Sequence, residues 1–279
     1  MNKSRVSELF CYSTENPNVD WPAIVNAQQC VFLKRKCTKT RKSEPQISIG
    51  TCTVKYGPGD VIICPVRLLE DRKIFLDCIH LLTLHEPGNE LHVIPEVKIP
   101  GGNIDFFLVS ARQGKVRDFV GIELQTLDTT GTIWPERQRF LQSVGIPTDD
   151  PANGTYGMNW KMTSKTILVQ LHHKIQTFEH LNKHLVLVIQ DHLINYMAKE
   201  FAFGHVSNPA RVGDSMHFHA YQFVQAEDRN YGLQLYERLS TDGAGIAACL
   251  GLQAEASIEM EMIVKILEKK ISKLTLLTI

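Results

Sequence analysis

Between residues 90 and 127 apolar side chains recur at every second position or run unbroken, with turn residues between the runs. A period of two belongs to β-strands. ELHVIPEVKIP (90–100) reads as a strand, and its two prolines mark it as an edge strand or an interrupted one. NIDFFLVS (103–110) follows the turn signal PGG, and VRDFVGIELQTL (116–127) follows ARQGK, so these two strands are predicted to form a hairpin. In SKTILVQLHHKIQTFEHL (164–181) the period changes. Ile167, Leu168, Leu171, Ile175, Phe178 and Leu181 recur at three- and four-residue steps, which predicts an amphipathic helix with Ser164 as its N-cap. HLVLVIQD (184–191) reads as a buried strand, HLINYMAKEF (192–201) as a short helix, and SMHFHAYQFV (215–224) as another strand. Ile258, Met262, Ile263, Ile266, Leu267, Ile271 and Leu274 predict a last amphipathic helix, whose apolar face either packs on the core or serves a dimer. Strands interleaved with helices over 76–225 predict a mixed α/β core. Residues 1–75, rich in cysteine, lysine and short turns such as YGPGD, read as a separate N-terminal region.

Composition narrows the class. A chain of 279 residues can bury a sizeable core, and 43% hydrophobic with 22% charged residues is ordinary for a globular protein. No apolar run reaches the roughly 18 residues of a membrane helix. The opening MNKSRVSELFCYSTENPN lacks the apolar centre of a secretory signal, so a cytoplasmic protein is expected. Lys and Arg number 30, as do Asp and Glu, and that balance argues against a protein that coats nucleic acid non-specifically. One local basic run stands out: KRKCTKTRK (34–42) has six Lys or Arg and no acid. Taken alone it reads as a solvated loop.

VGIELQTLD (120–128) breaks the pattern. Glu123 and Gln125 lie two apart, so both project from one face of an otherwise apolar strand. Asp105 begins the preceding strand, and a hairpin would bring it near Glu123. Close carboxylates repel and need a cation between them, and hard oxygen ligands with open positions suit magnesium. Magnesium there lowers the pKa of a bound water and stabilises charge on a phosphate. An acid capping a turn beside a half-exposed strand face would give the same letters. An acid, 17 intervening residues, then Glu-x-Gln resembles the PD-(D/E)XK nuclease superfamily, with Gln125 where lysine is usual. Lysine brings a positive charge to that position, whereas glutamine brings only an amide. Arg137 and Arg139 follow the strand and read as solvated arginines. His217 and His219 share a strand face and read as satisfied or exposed histidines rather than ligands.

Four of the seven cysteines, Cys30, Cys37, Cys52 and Cys64, fall within 35 residues, with 6, 14 and 11 residues between them. Clustered cysteines in a cytosolic chain suggest a metal more than disulfides, and four thiolates suit zinc or a single iron. Four unrelated core cysteines are the alternative. Cys11, Cys78 and Cys249 read as unligated.

CVFLKRKC, GTC, VIICPVR, NIDFFLV and GIELQTLDTTG, in that order, resemble the NotI-type restriction endonucleases. The similarity covers roughly 30–67 and 90–131, and is weaker over 160–225. It implies a PD-(D/E)XK core, a central mixed sheet flanked by helices, preceded by a metal-braced loop region. Residues 1–75 would be the four-cysteine region, and 76–279 the catalytic domain with its terminal helix. The activity implied is type II restriction, the cleavage of double-stranded DNA at a short palindromic site by a homodimer. Asp105 and Glu123 would hold Mg2+, Gln125 would orient the attacking water, and Glu96 would be a third acid, with Glu90 as competitor. Cys30, Cys37, Cys52 and Cys64 would hold one structural metal ion, iron or zinc. Lys39, Arg41 and Lys42 would then lie on a braced loop and contact DNA. A repair or recombination nuclease on the same core, or a non-catalytic metal-braced DNA-binding protein, fits the same residues.

Overall fold

The computed structural model describes residues 4–57, 59–149 and 154–252. The N-terminal stretch, polar in sequence, forms a small antiparallel sheet. Val6–Leu9 (β1) pairs with Tyr12–Ser13 (β2) and with Thr51–Tyr56 (β3), and Gly59–Ile62 (β4) completes the order β2-β1-β3-β4. Its polar residues are buried because they satisfy one another. The Glu8 carboxylate accepts from Arg67 Nε at 2.8 Å and from the Thr53 hydroxyl at 2.7 Å. Arg67 also pairs with Glu70 and donates to the Tyr231 carbonyl at 2.9 Å. Between β1–β2 and β3, Trp21–Ala27 (α1) is capped by the Asp20 carboxylate, which accepts from Ala23 N at 3.1 Å. Two short ribbons, Gln29–Cys30 with Arg35–Lys36 and Thr40–Arg41 with Glu44–Ser48, carry the basic run.

The main sheet has six strands: Glu90–Ile99 (β5), Gly102–Arg112 (β6), Lys115–Gln125 (β7), His184–Gln190 (β8), Met216–Gln225 (β9) and Tyr231–Thr241 (β10). Their order is β10-β9-β8-β7-β6-β5. β5, β6 and β7 form an antiparallel meander, β7, β8 and β9 run parallel, and β10 returns antiparallel to β9. The β6–β7 hairpin turns at Gln113 and Gly114, both at positive φ (51° and 70°), as a tight two-residue turn requires. Trp134–Ser143 (α2) and Trp160–His180 (α3) link β7 to β8, Asp191–Glu200 (α4) links β8 to β9, and Gly243–Cys249 (α5) follows β10. The architecture is therefore mixed α/β with a central mixed sheet.

Strand alternation sorts the core onto two faces. Phe107, Val109, Leu187, Ile189 and Phe218 meet Leu168, Leu171, Ile175 and Phe178 of α3 on one side. Val54, Val61 and Ile63 from the N-terminal sheet join that same cluster. Leu108, Val120, Ile122, Val186 and Val188 meet Leu68, Ile74, Phe75 and Leu81 on the other. Each such side chain contributes about 1.5–3 kcal/mol relative to exposure.

Several expectations are corrected. α3 begins at Trp160 with Asn159 as its N-cap, and Ser164 is fully buried inside it. The apolar period starts only at Ile167, so apolar positions alone mark the helix one turn late. Arg137, read as solvated, is buried and donates to the Ile49 carbonyl at 2.8 Å. Arg139 pairs with Glu136 at 2.8 Å. His217 and His219 are both buried. The terminal helix expected over 258–274 lies outside the described residues. Among the described residues no helix is long and apolar enough to cross a membrane.

Candidate active site and thiol cluster

The β6–β7 register pairs Phe106 with Ile122 and Phe107 with Gly121. One step further, Asp105 stands across from Glu123. There the ladder gives way to a side chain: the Asp105 carboxylate accepts the Leu124 N–H at 2.8 Å. Asp105, Glu123 and Gln125 share a strand face with Phe107 and open, with Gly101, Gln170 and Lys174, onto a cavity of about 440 Å³. Lys174 comes from the middle of α3 and donates to Glu123 Oε1 at 2.8 Å. Both side chains are buried, at 8% and 6% exposure. Burial pushes the Glu123 carboxyl up to about 7, although the Lys174 ammonium pulls it down. The Gln125 amide nitrogen donates to the Thr126 carbonyl at 2.6 Å, which leaves its oxygen and its second N–H for other partners.

Two glycines bring the helix to this edge. A Cβ on Gly121 would come within 2.3 Å of Phe178 Cζ, so only glycine lets α3 lie this close to β7. Gly101, at φ +92°, carries the β5–β6 turn against α3, where a Cβ would meet the His173 carbonyl oxygen at 2.4 Å. The Thr177 hydroxyl donates to the Pro100 carbonyl at 3.0 Å across the same contact.

The other acids lie elsewhere. Glu96 sits on β5 between the pairs Ile104–Val97 and Phe106–Pro95, but its φ of 52° breaks the pleat. It is exposed, and it does not line the cavity. Glu90 pairs with Ala111 at the opposite end of the meander. Two carboxylates facing one cavity fit magnesium, which binds through one or two carboxylates and completes its shell with water and phosphate.

The cysteines sort differently from their spacing. Cys11 Sγ lies 3.5 Å from Cys52 Sγ and 4.0 Å from Cys30 Sγ, and Cys64 contacts Cys52. Cys11, expected to be unligated, is thus in the group. Cys37 instead packs against the cluster of Trp21 and Phe140. The contacts run Cys64 to Cys52 to Cys11 to Cys30. Donation from Cys11 lowers the Cys30 pKa, and donating raises that of Cys11 itself. Among the described residues no three His, Cys, Asp or Glu side chains already converge on one metal position. Two of the six edges that a tetrahedral four-thiolate site would need, at 3.5 and 4.0 Å, lie near the length of about 3.8 Å set by metal–sulfur bonds of about 2.3 Å. Cys78 lies 3.7 Å from His219 Nδ1, and Cys249 is a core residue.

Lys34, Arg35, Lys36, Lys39 and Lys42 of the basic run are exposed. Arg41 is engaged: it pairs with Glu44 and lies 4.6 Å over the Trp134 ring.

A mixed sheet with paired carboxylates at the end of adjacent strands, in a chain that also carries an exposed basic segment, has the layout of an enzyme acting on a phosphate polymer. Comparison with known families defines it further. Residues 26–231 match the family described as Restriction endonuclease NotI, and the chain belongs to that family. Membership places it among the type II restriction endonucleases, site-specific deoxyribonucleases that act on double-stranded DNA. No curated protein and no solved structure matches the chain.

Proposed function

We propose that this chain is a magnesium-dependent restriction endonuclease with a PD-(D/E)XK core, cutting duplex DNA at a short palindromic site as a homodimer in the cytoplasm. The observation that carries the reading is Asp105 and Glu123 facing one cavity from adjacent strands, with Gln125 beside them. Asp105 and Glu123 would hold Mg2+, which when bound supplies positive charge to the phosphate and acidifies water. The Gln125 amide oxygen accepts a hydrogen bond from the attacking water and orients it. The cavity excludes Glu96 and Glu90, so the reading rests on two acids rather than three. Two-fold symmetry in the site calls for two-fold symmetry in the protein.

Cys11, Cys30, Cys52 and Cys64 would hold the structural metal, iron or zinc, and in doing so brace the basic segment between Cys30 and Cys52. Lys39, near the middle of that segment, reaches the Ile63 carbonyl at 3.4 Å, next in sequence to Cys64. Exposed Lys42 would meet the phosphate backbone.

The test is cleavage of long duplex DNA of known sequence, with magnesium and then with EDTA. Discrete fragments with magnesium alone, lost in Glu123→Ala, are expected. Cutting that persists in Glu123→Ala, or no cutting by the unaltered chain on several unmethylated genomes, would overturn the reading.

A further inference from the structure

We propose that Lys174 is a catalytic residue: its ammonium, delivered from α3, supplies the positive charge that Gln125 on β7 cannot. This deepens the nuclease reading and rests on it. Of the described side chains lining the cavity, Lys174 is the one cation. Gln125 is neutral, and one of its two amide N–H groups is taken by the Thr126 carbonyl. Arg137 is held by the Ile49 carbonyl and lies 4.7 Å from the Trp134 ring, and Arg139 is held by Glu136; neither lines the cavity.

The position of Lys174 is built rather than incidental. It lies among Leu171, Ile175 and Phe178 on the buried stripe of α3, where a charge is costly unless paired. The β5–β6 turn closes over it, with Gly102 so near that a Cβ would come within 3.1 Å of Lys174 Cε. An ammonium has three donors, and Glu123 takes one at 2.8 Å. The other two remain for a phosphate oxygen and the attacking water.

The chemistry needs a charge there. Water oxygen bonds to phosphorus as one P–O ester bond breaks. The water gives a proton to solvent, and the departing ester oxygen takes one. Negative charge builds on the phosphoryl oxygens between those events, and a fixed cation in a partly desolvated cavity offsets it.

The test uses steady-state cleavage by the full chain with Lys174→Gln, which keeps a hydrogen bond to Glu123, and Lys174→Met. We expect kcat to fall on the order of 100-fold, the usual cost of removing one preorganised donor. KM, and DNA affinity in EDTA, should stay within about threefold. Adding Gln125→Lys to Lys174→Gln should restore kcat at least tenfold, which a structural role for Lys174 would not allow. A Lys174→Gln enzyme with wild-type kcat, while Asp105→Asn is inactive, would overturn this proposal and leave the nuclease reading standing. If the single Lys174 variants fail to fold, Lys174→Gln combined with Gln125→Lys, which returns a cation to the cavity, decides. Cleavage at least tenfold above the Asp105→Asn background supports the proposal, and a folded but inactive double variant overturns it.

Discussion

Gly101→Ala probes the contact that seats α3 against the cavity. Two costs follow from the geometry. At φ +92° an L-residue is strained by roughly 1–2 kcal/mol. The new Cβ would also stand 2.4 Å from the His173 carbonyl oxygen, a backbone atom, so the turn must lift off the helix. Lifting it removes the bond from the Thr177 hydroxyl to the Pro100 carbonyl, worth about 1 kcal/mol. The expected loss is about 2–3 kcal/mol. Gly114→Ala is the matched control: its φ is +70°, but nothing lies within 4 Å of its Cβ, so only strain remains. Urea unfolding followed by circular dichroism reads both, at unchanged m. Because Lys174 follows His173, Gly101→Ala should also lower the cleavage rate, and Gly114→Ala should not. A Gly101→Ala protein no less stable than Gly114→Ala would refute the idea that this turn is wedged on α3.

Arg67→Met leaves Glu8 buried without its cation, while Glu70 keeps Lys73, and should cost about 3–5 kcal/mol in urea unfolding; a loss below 1 kcal/mol would mean that the network contributes little. Burial pushes the His217 imidazole down to about 4 and that of His219 well below its ordinary range, so both are neutral when folded. The unfolded chain protonates them near pH 6.5, so stability is fully present above that pH. It is lost as pH falls toward 4, by about 3 kcal/mol for His217 alone. His217→Gln should flatten that slope, and an unchanged slope would show that other groups set it. On the proposed metal-braced reading, purified protein should carry iron or zinc by elemental analysis, Cys11→Ala should lose it and Cys37→Ala should retain it; the reverse result would favour the set that spacing suggested.

The site was legible where it broke a pattern. Glu123 and Gln125 stand out because polar residues interrupt an apolar strand, and Asp105 because it follows PGG. Lys174 was equally open to reading, as a lysine on the apolar stripe of a helix, but sequence does not show where such a stripe ends in space. Cys11 was hidden for a different reason. It sits at φ 69° in the tight link from β1 to β2, and those strands carry buried polar residues that mask their alternation. Residue spacing favoured Cys37, yet the ribbon at 35–36 carries that thiol toward Trp21 instead. β10 was missed because YGLQLYERLST is an edge strand whose outer positions are charged or polar. Glu96 fell on a predicted strand, but a local reversal of φ, which no residue pattern announces, turns it outward.

Cys30 and Cys52 both touch Cys11, so the two ends of residues 31–51 meet at one point. Cys37, Arg41 and Ile49 hold the segment against Trp21, Trp134 and Arg137, and its exposed turns project between those anchors. The entropy of closing such a loop grows only with the logarithm of its length, so doubling it costs about 0.6 kcal/mol. Residues can be exchanged or inserted at its exposed turns, 34–36 and 42–43, without disturbing β3 or the sheet behind it. This is the part of the chain where related proteins can diverge in length and charge at least expense to the fold.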